Sequence, residues 1–297
     1  MRYKVKELIK YLRSPFLYLE AFEIAGLWGL FYELRSRNSL WFARGKIQNE
    51  SRHSSLSDKQ SYVDICKAAV ESEEVFEKFK RNIDYREILE HVSWKHGYQY
   101  LRMINKPEVL NNLVFQNSQD VGGAIKYKFD NLGYLSPTQI RYAKISQDLL
   151  ENEGSLDGYT VVEIGVGNCG QALHLMGLGL IKSYVLVDIP EVLNLGRKIL
   201  YNNPNFAKFK FVSAFEDTSL DSDLVISNYA YSELDLGAQE DYFRRFLSRA
   251  NSGYLLYNYI KKEEGNLSAD DLMLRIPSAS IKPEEPLTFP GNVLIAW

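Results

Sequence analysis

Three glycines close together, in the stretch Glu163-Ile-Gly165-Val-Gly167-Asn-Cys-Gly170, separate an apolar β-branched run from a helix-like segment. Glycines in that setting let the backbone of a strand–loop–helix turn come close to a nucleotide or nucleoside. Asp188 ends the next apolar run, 18 residues after Gly170, near the spacing at which a carboxylate reaches ribose hydroxyls. The glycine pattern alone is weak. Combined with its strand context and the acid, it predicts a nucleoside site. Glu163, two residues before the first glycine, narrows the ligand, because a carboxylate there repels a pyrophosphate and tolerates a ligand carrying an ammonium group.

Such a loop needs strands and helices to hold it, and the second half of the chain supplies them. Tyr159–Ile164, Tyr184–Ile189, Phe209–Ser213, Leu224–Ser227 and Gly253–Ile260 are short apolar runs, with helix-like segments at Gln171–Leu178, Pro190–Tyr201 and Ala238–Ala250. Continuous apolar strands alternating with helices predict a mostly parallel sheet covered on both faces. Ser278–Lys282 and Asn292–Trp297 read as a C-terminal antiparallel hairpin, bringing the sheet to seven strands. Ahead of the first strand, Ser136-Pro-Thr-Gln139 has the form of an N-cap, a first-turn proline and a capping-box glutamine. That helix should end at Glu153, before Gly154.

Residues 1–135 have another character and are expected to be mainly helical, a cap or substrate region ahead of the α/β domain at 136–297. No convincing strand is visible there. Asn49–Asp58, which contains His53, and Asn117–Gly133 have loop composition. The periodicity of Ile83–Ile104 sets Ile88, Val92, His96 and Met103 near one helical face. Val5, Leu8, Ile9 and Leu12 form one stripe, with Lys6, Lys10 and Arg13 beside it. That basic amphipathic helix suits docking on the core or a second subunit, or lying on an anionic membrane surface.

Composition removes other classes. Lys and Arg total 35 against 38 Asp and Glu, so no basic field recruits nucleic acid. Two cysteines, Cys66 and Cys169, make neither a disulfide framework nor a zinc motif and suit a reducing cytoplasm. Glu20 and Glu23 interrupt the most apolar early stretch, Phe16–Phe31, which falls short of a membrane span.

Several segments now converge on one family. Leu135-Ser-Pro-Thr-Gln-Ile-Arg-Tyr142, Glu163–Gln171, Val187-Asp-Ile-Pro-Glu191, Ser227-Asn-Tyr-Ala-Tyr-Ser-Glu233 and Gly253-Tyr-Leu-Leu-Tyr-Asn258 occur in that order. Together they resemble the class I S-adenosylmethionine-dependent methyltransferases, and within them the bacterial sugar O-methyltransferase family. Gln119-Asp-Val-Gly-Gly123 is similar to a polar loop of that family. Cys169 departs from the third closely spaced glycine, and Ser213 from an adenine-binding aspartate.

The resemblance implies a Rossmann-like fold, S-adenosylmethionine as cofactor, and methyl transfer to a hydroxyl of a glycan or activated sugar; the cysteines point to the cytoplasm, with the inner membrane face an option that the basic helix leaves open. The alternatives are another small-molecule acceptor, or a non-catalytic nucleoside-binding partner in glycan assembly. It also implies roles. Glu163, Gly165, Gly167, Asn168 and Gly170 would border the methionine moiety, with Arg141 pairing its carboxylate. Asp188 and Ile189 would meet the ribose; Ala214 and Phe215 would line the adenine. Asn228 would lie at the cofactor, and Tyr229, Tyr231 and Asp120 at the acceptor. A sugar hydroxyl needs a general base. Glu233 is the first candidate, with His96 its competitor, though a buried structural histidine is the alternative there. His174 is expected to be a core histidine. No adjacent acid pair after the fourth strand suggests a metal.

Overall fold

The computed structural model describes residues 21, 23–25, 27–35, 60–129, 132–179, 181–259 and 265–297. The basic amphipathic helix expected at 5–12, the polar break at 49–58 and His53 lie outside the described residues.

The N-terminal part contains a helical segment over 27–35, then α1 (Gln60–Glu71), α2 (Glu73–Phe76), α3 (Ile83–Ile88), α4 (Trp94–Met103) and α5 (Pro107–Ser118). The single helix expected across 83–104 is broken. Ser93 lies in extended conformation and its hydroxyl accepts the His96 N–H, an N-cap in the middle of the periodic stretch. His96 therefore opens a new helix and does not share a face with Ile88 and Val92. The expected loop at 117–133 also holds more structure: β1 (Tyr127–Phe129) pairs antiparallel with β2 (Gly133–Leu135). Tyr127 and Phe129 are buried around exposed Lys128. That alternation is too short to stand out among loop residues.

The α/β part runs α6 (Pro137–Glu153), β3 (Thr160–Ile164), α7 (Gly170–Met176), β4 (Ser183–Asp188), α8 (Pro190–Leu200), β5 (Phe209–Ser213) and β6 (Ser222–Asn228). It continues through α9 (Ala230–Glu233), α10 (Leu236–Arg245), β7 (Ala250–Tyr257), α11 (Ala269–Arg275), β8 (Ser280–Pro283) and β9 (Val293–Ala296). The sheet order is β5-β4-β3-β6-β7-β9-β8. The first five of these are parallel, and β9 pairs antiparallel with both β7 and β8. This is the α/β fold expected, a mostly parallel seven-stranded sheet with a C-terminal antiparallel hairpin. The last strand is inserted beside β7 rather than added at the edge.

Strand side chains alternate between two cores. Val161, Tyr184, Leu186 and Ile226 face one, with α1, α7 and α8; Val162, Val185, Val187 and Val225 face the other, with α10 and α11. Tyr62 and Cys66 of α1 belong to the first core, so this helix packs directly on the sheet's own layer. Helix α6 is buried at every residue from Pro137 to Gln147, because the N-terminal helices cover the side that the sheet does not. Burial also displaces the expected capping box. The Ser136 side chain makes no cap bond, and the Gln139 amide instead joins Asp120 and His174.

Candidate functional site

Strand order reverses between β3 and β6, and the crevice at the carboxyl ends of those strands is where ligands bind in open α/β sheets. The glycine loop leaves β3 there. Gly165 has φ 76°, and a Cβ on it would lie 2.1 Å from the Ala230 Cβ, so only glycine permits this approach of loop to α9. Gly167 donates its N–H to Oδ2 of Asp188 at 3.2 Å, tying the loop to the end of β4. The Asn168 carbonyl Oδ1 accepts the Gly170 N–H at 3.0 Å and the Tyr142 hydroxyl at 3.2 Å, while its Nδ2 donates to Glu90 at 3.2 Å. Cys169 takes the left-handed conformation, φ 57°, at the position where a third glycine was expected.

Asp188 is oriented by two backbone donors, Gly167 on Oδ2 and Ile189 on Oδ1 at 2.8 Å. These two bonds hold the carboxylate at the end of β4, beside the glycine loop. Ala214 donates its N–H to the Asp188 carbonyl at 2.8 Å, which places it at the same strand ends. Phe215 next to it is 80% exposed, outside the core and stacked on no ring among the described residues.

Glu163 faces inward from β3, 2% exposed, and its Oε2 accepts the Tyr184 hydroxyl at 2.8 Å. Burial pushes its carboxyl up to about 8; the tyrosine bond opposes the shift and Asp188 adds to it.

On the other side of the loop lies Arg141, 4% exposed. Among the described residues no carboxylate forms an ion pair with it, and its Nε is buried without a hydrogen-bond partner. Its guanidinium sits 5.5 Å from the Tyr142 ring centre and 5.9 Å from that of Tyr229. Burial works against its charge, but Tyr142, Tyr229 and Tyr100 outweigh that and raise its pKa. A further buried group nearby, the Asn228 amide at the end of β6, has no hydrogen-bond partner for either side-chain atom among the described residues, and the buried Tyr100 hydroxyl faces that of Tyr229. Unpartnered buried polar atoms are costly and call for an explanation.

The remaining expected site residues fall elsewhere or carry other bonds. Tyr229 stays at the crevice, with φ 71° and its hydroxyl bonded to Glu284. Tyr231 does not: its ring lies in the second core and its hydroxyl donates to the Gln239 carbonyl at 3.0 Å. Asp120, expected to meet an acceptor hydroxyl, is buried in an ion pair with Lys80 and accepts from Gln139 at 3.2 Å. Glu233 ends α9 and accepts the Asn258 amide at 2.9 Å. His96 sits half-buried in the first turn of α4. His174 is a core histidine as expected; burial lowers its pKa to about 3, and its Nε2 donates to Gln139 at 2.7 Å.

Sequence reasoning missed Leu89, Glu90, Tyr100 and Glu284. Leu89 packs onto Gly167, its Cδ2 2.7 Å from where a Cβ would sit. Glu90 bonds Asn168, and burial raises its carboxyl pKa. Nothing in the sequence marks the first three. Glu284 lay in view as an acid within the Pro/Glu turn of the hairpin. Among the described residues no group of three or more His, Cys, Asp or Glu could hold a metal ion, and no helix is long and apolar enough to cross a membrane. A cavity of about 480 Å³ lies between the C-terminal turns of α6 and the hairpin, lined by Glu151, Lys282 and Trp297, away from the glycine loop.

No family model matches the sequence, and no curated protein does. Solved structures with similar folds include protein 1320 of Thermoplasma acidophilum, 14% identical over 63% of this chain and 96% of its own, TM-score 0.40. The glycopeptide N-methyltransferase MtfA is 11% identical over 51% of this chain and 88% of its own, TM-score 0.40. An O-methyltransferase family protein from Burkholderia thailandensis is 14% identical over 54% and 59%, TM-score 0.36. At these scores the likenesses carry no argument about the site, whose reading rests on its own geometry.

Proposed function

We propose that the protein is an S-adenosylmethionine-dependent O-methyltransferase acting on a hydroxyl of a glycan or activated sugar. The observation that carries this reading is Arg141, a buried guanidinium with no ion-paired carboxylate among the described residues, beside a glycine loop whose opposite end is fixed by Asp188. An amino-acid carboxylate fits Arg141, ribose hydroxyls fit Asp188, and the Asn228 amide offers an unpartnered donor and acceptor. Tyr142 and Asn168 hold the loop, and Ala214 and exposed Phe215 border the adenine side. The bound sulfonium supplies an electrophilic methyl group whose bond to sulfur breaks with its electron pair on sulfur.

The sugar acceptor rests on the resemblance of Leu135–Tyr142, Ser227–Glu233 and Gly253–Asn258 to that family, and on the chemistry of Tyr229 at the crevice. Aromatic faces with polar tips suit sugar rings. Glu233 and His96 are the sequence's candidates for the base. In this reading the enzyme works in the cytoplasm, and the basic helix expected at 5–12 serves as its contact to a membrane surface or a second copy.

Titration calorimetry with S-adenosylmethionine, S-adenosylhomocysteine and NAD tests the cofactor. Binding of the first two and silence for NAD is expected; the reverse sinks the reading. Asp188→Ala should weaken cofactor binding by about 1.5–3 kcal/mol, the range for hydrogen bonds to a charged acceptor.

A further inference from the structure

Glu284 belongs to the turn between β8 and β9 and is 2% exposed. Its two oxygens are used differently. Oε2 accepts the Thr288 hydroxyl at 2.6 Å, the Thr288 N–H at 3.1 Å and the Asn292 amide at 3.1 Å. Oε1 has one hydrogen-bond partner among the described residues, the hydroxyl of Tyr229. Three donors therefore anchor the carboxylate through one oxygen and aim the other at a phenol across the sheet's end.

Tyr229 is held in an unfavourable backbone state. At φ 71° it occupies the left-handed region that side chains other than glycine adopt only under strain, and such strain clusters at functional sites. The position is also central, directly after β6 and before Ala230, which touches Gly165. Its proton is given to Glu284, and the phenol oxygen, 3.3 Å from the Thr288 hydroxyl that itself donates to Glu284, keeps its acceptor side toward the crevice. The Arg141 guanidinium lies 5.9 Å from the centre of its ring, and the buried Tyr100 hydroxyl faces its own. Glu233, by contrast, already takes the Asn258 amide.

We propose that Tyr229 and Glu284 form a proton relay serving the acceptor hydroxyl, with Tyr229 touching the acceptor and Glu284, from the C-terminal hairpin, positioning Tyr229 and receiving the proton. The proposal rests on the methyl-transfer reading above. The acceptor O–H donates to Oη of Tyr229. As the acceptor oxygen bonds the methyl carbon with the electron pair of its O–H bond, its proton passes to Oη and Tyr229's own proton passes to Oε1 of Glu284. Hydroxyl, carboxylate and sulfonium become methyl ether, carboxylic acid and thioether, so charge balances.

The first test needs neither cofactor nor acceptor. In protein labelled with [ζ-¹³C]tyrosine, the resonance lost in Tyr229→Phe is expected to shift in Glu284→Gln, and an unmoved resonance overturns the dyad. The second uses S-adenosylmethionine with a panel of methyl glycosides of hexoses and 6-deoxyhexoses. Tyr229→Phe and Glu284→Gln should each lower kcat by roughly 10²–10⁴-fold, the usual contribution of proton transfer. Cofactor affinity and acceptor KM should hold, and the double variant should be no slower than the slower single one. Wild-type kcat should show a solvent deuterium effect with a curved proton inventory, which a purely structural role does not produce. Wild-type turnover with either variant unimpaired, or additive losses, overturns the relay alone. Wild-type protein that binds the sulfonium and methylates nothing in the panel overturns the sugar reading, and the relay with it.

Discussion

Strand β6 passes the chain on through two tyrosines that end in opposite layers. Tyr229 packs in the first core, beneath Arg141, with its hydroxyl on a carboxylate from the hairpin. Tyr231, two residues on, packs in the second core among valines, with its hydroxyl on a backbone carbonyl. The two strand faces differ in the same way. One presents Glu163 and Tyr184, and the other Val162, Val185, Val187 and Val225. A sheet exposes alternate residues to alternate layers, so chemistry gathers where one layer has polar material to meet it. Here the meeting layer is α6 with the N-terminal helices, and the opposite layer carries packing.

Substitutions on the two faces should therefore fail in different ways. The largest effect is expected where the first face meets the glycine loop. Gly165→Ala adds a side chain at φ 76° and a contact 2.1 Å from Ala230. Left-handed strain and overpacking together should cost about 2–5 kcal/mol in urea unfolding and remove cofactor binding. A stable Gly165→Ala protein that binds normally would show that the loop does not approach α9 as described.

Glu163→Gln should alter stability in a pH-dependent way. The folded-state pKa of Glu163 is raised to about 8, above its unfolded value of about 4.3, so folding takes up a proton between these limits. Wild-type stability attributable to this group is then lost as pH rises through that window and fully lost above about 8. The variant should melt above the wild type at pH 8, with the advantage shrinking toward pH 4.5. A pH-independent difference would mean that Glu163 is ionised in the folded protein.

The smallest effect belongs to the second face. Tyr231→Phe removes a buried bond to the Gln239 carbonyl and should cost about 1 kcal/mol in unfolding free energy, leaving cofactor affinity intact. Lost affinity in Tyr231→Phe, measured by calorimetry, would erase the distinction between the two tyrosines.

Much of the architecture was legible because its signals are local. Apolar β-branched runs, the Gly154 stop and the glycine loop with Asp188 each depend on residues close in sequence, and the strands appear where those runs predict them. Other expectations failed where a distant partner outbid a local pattern. Gln139 fits a capping box, yet Asp120 and His174 claim its amide. Periodicity joined residues 83–104 into one helix, but Ser93 caps a second. Asp120 has the polarity of an acceptor-binding residue, and Lys80, 40 positions away, buries it in an ion pair.

By itself, then, the sequence determined the strands, their alternation with helices, the glycine loop and the acid that faces it. These follow from backbone conformational limits and apolar periodicity, which act over a few residues. Tertiary structure alone decided which layer each side chain enters and which polar groups are left without partners. It placed Tyr229 and Tyr231 on opposite faces, buried Arg141 with no ion-paired carboxylate among the described residues, and brought Glu284 of the hairpin to the end of β6 across 55 residues of chain. Such pairings depend on long-range packing, in which hydrogen bonds and ion pairs gain strength only after water has been excluded.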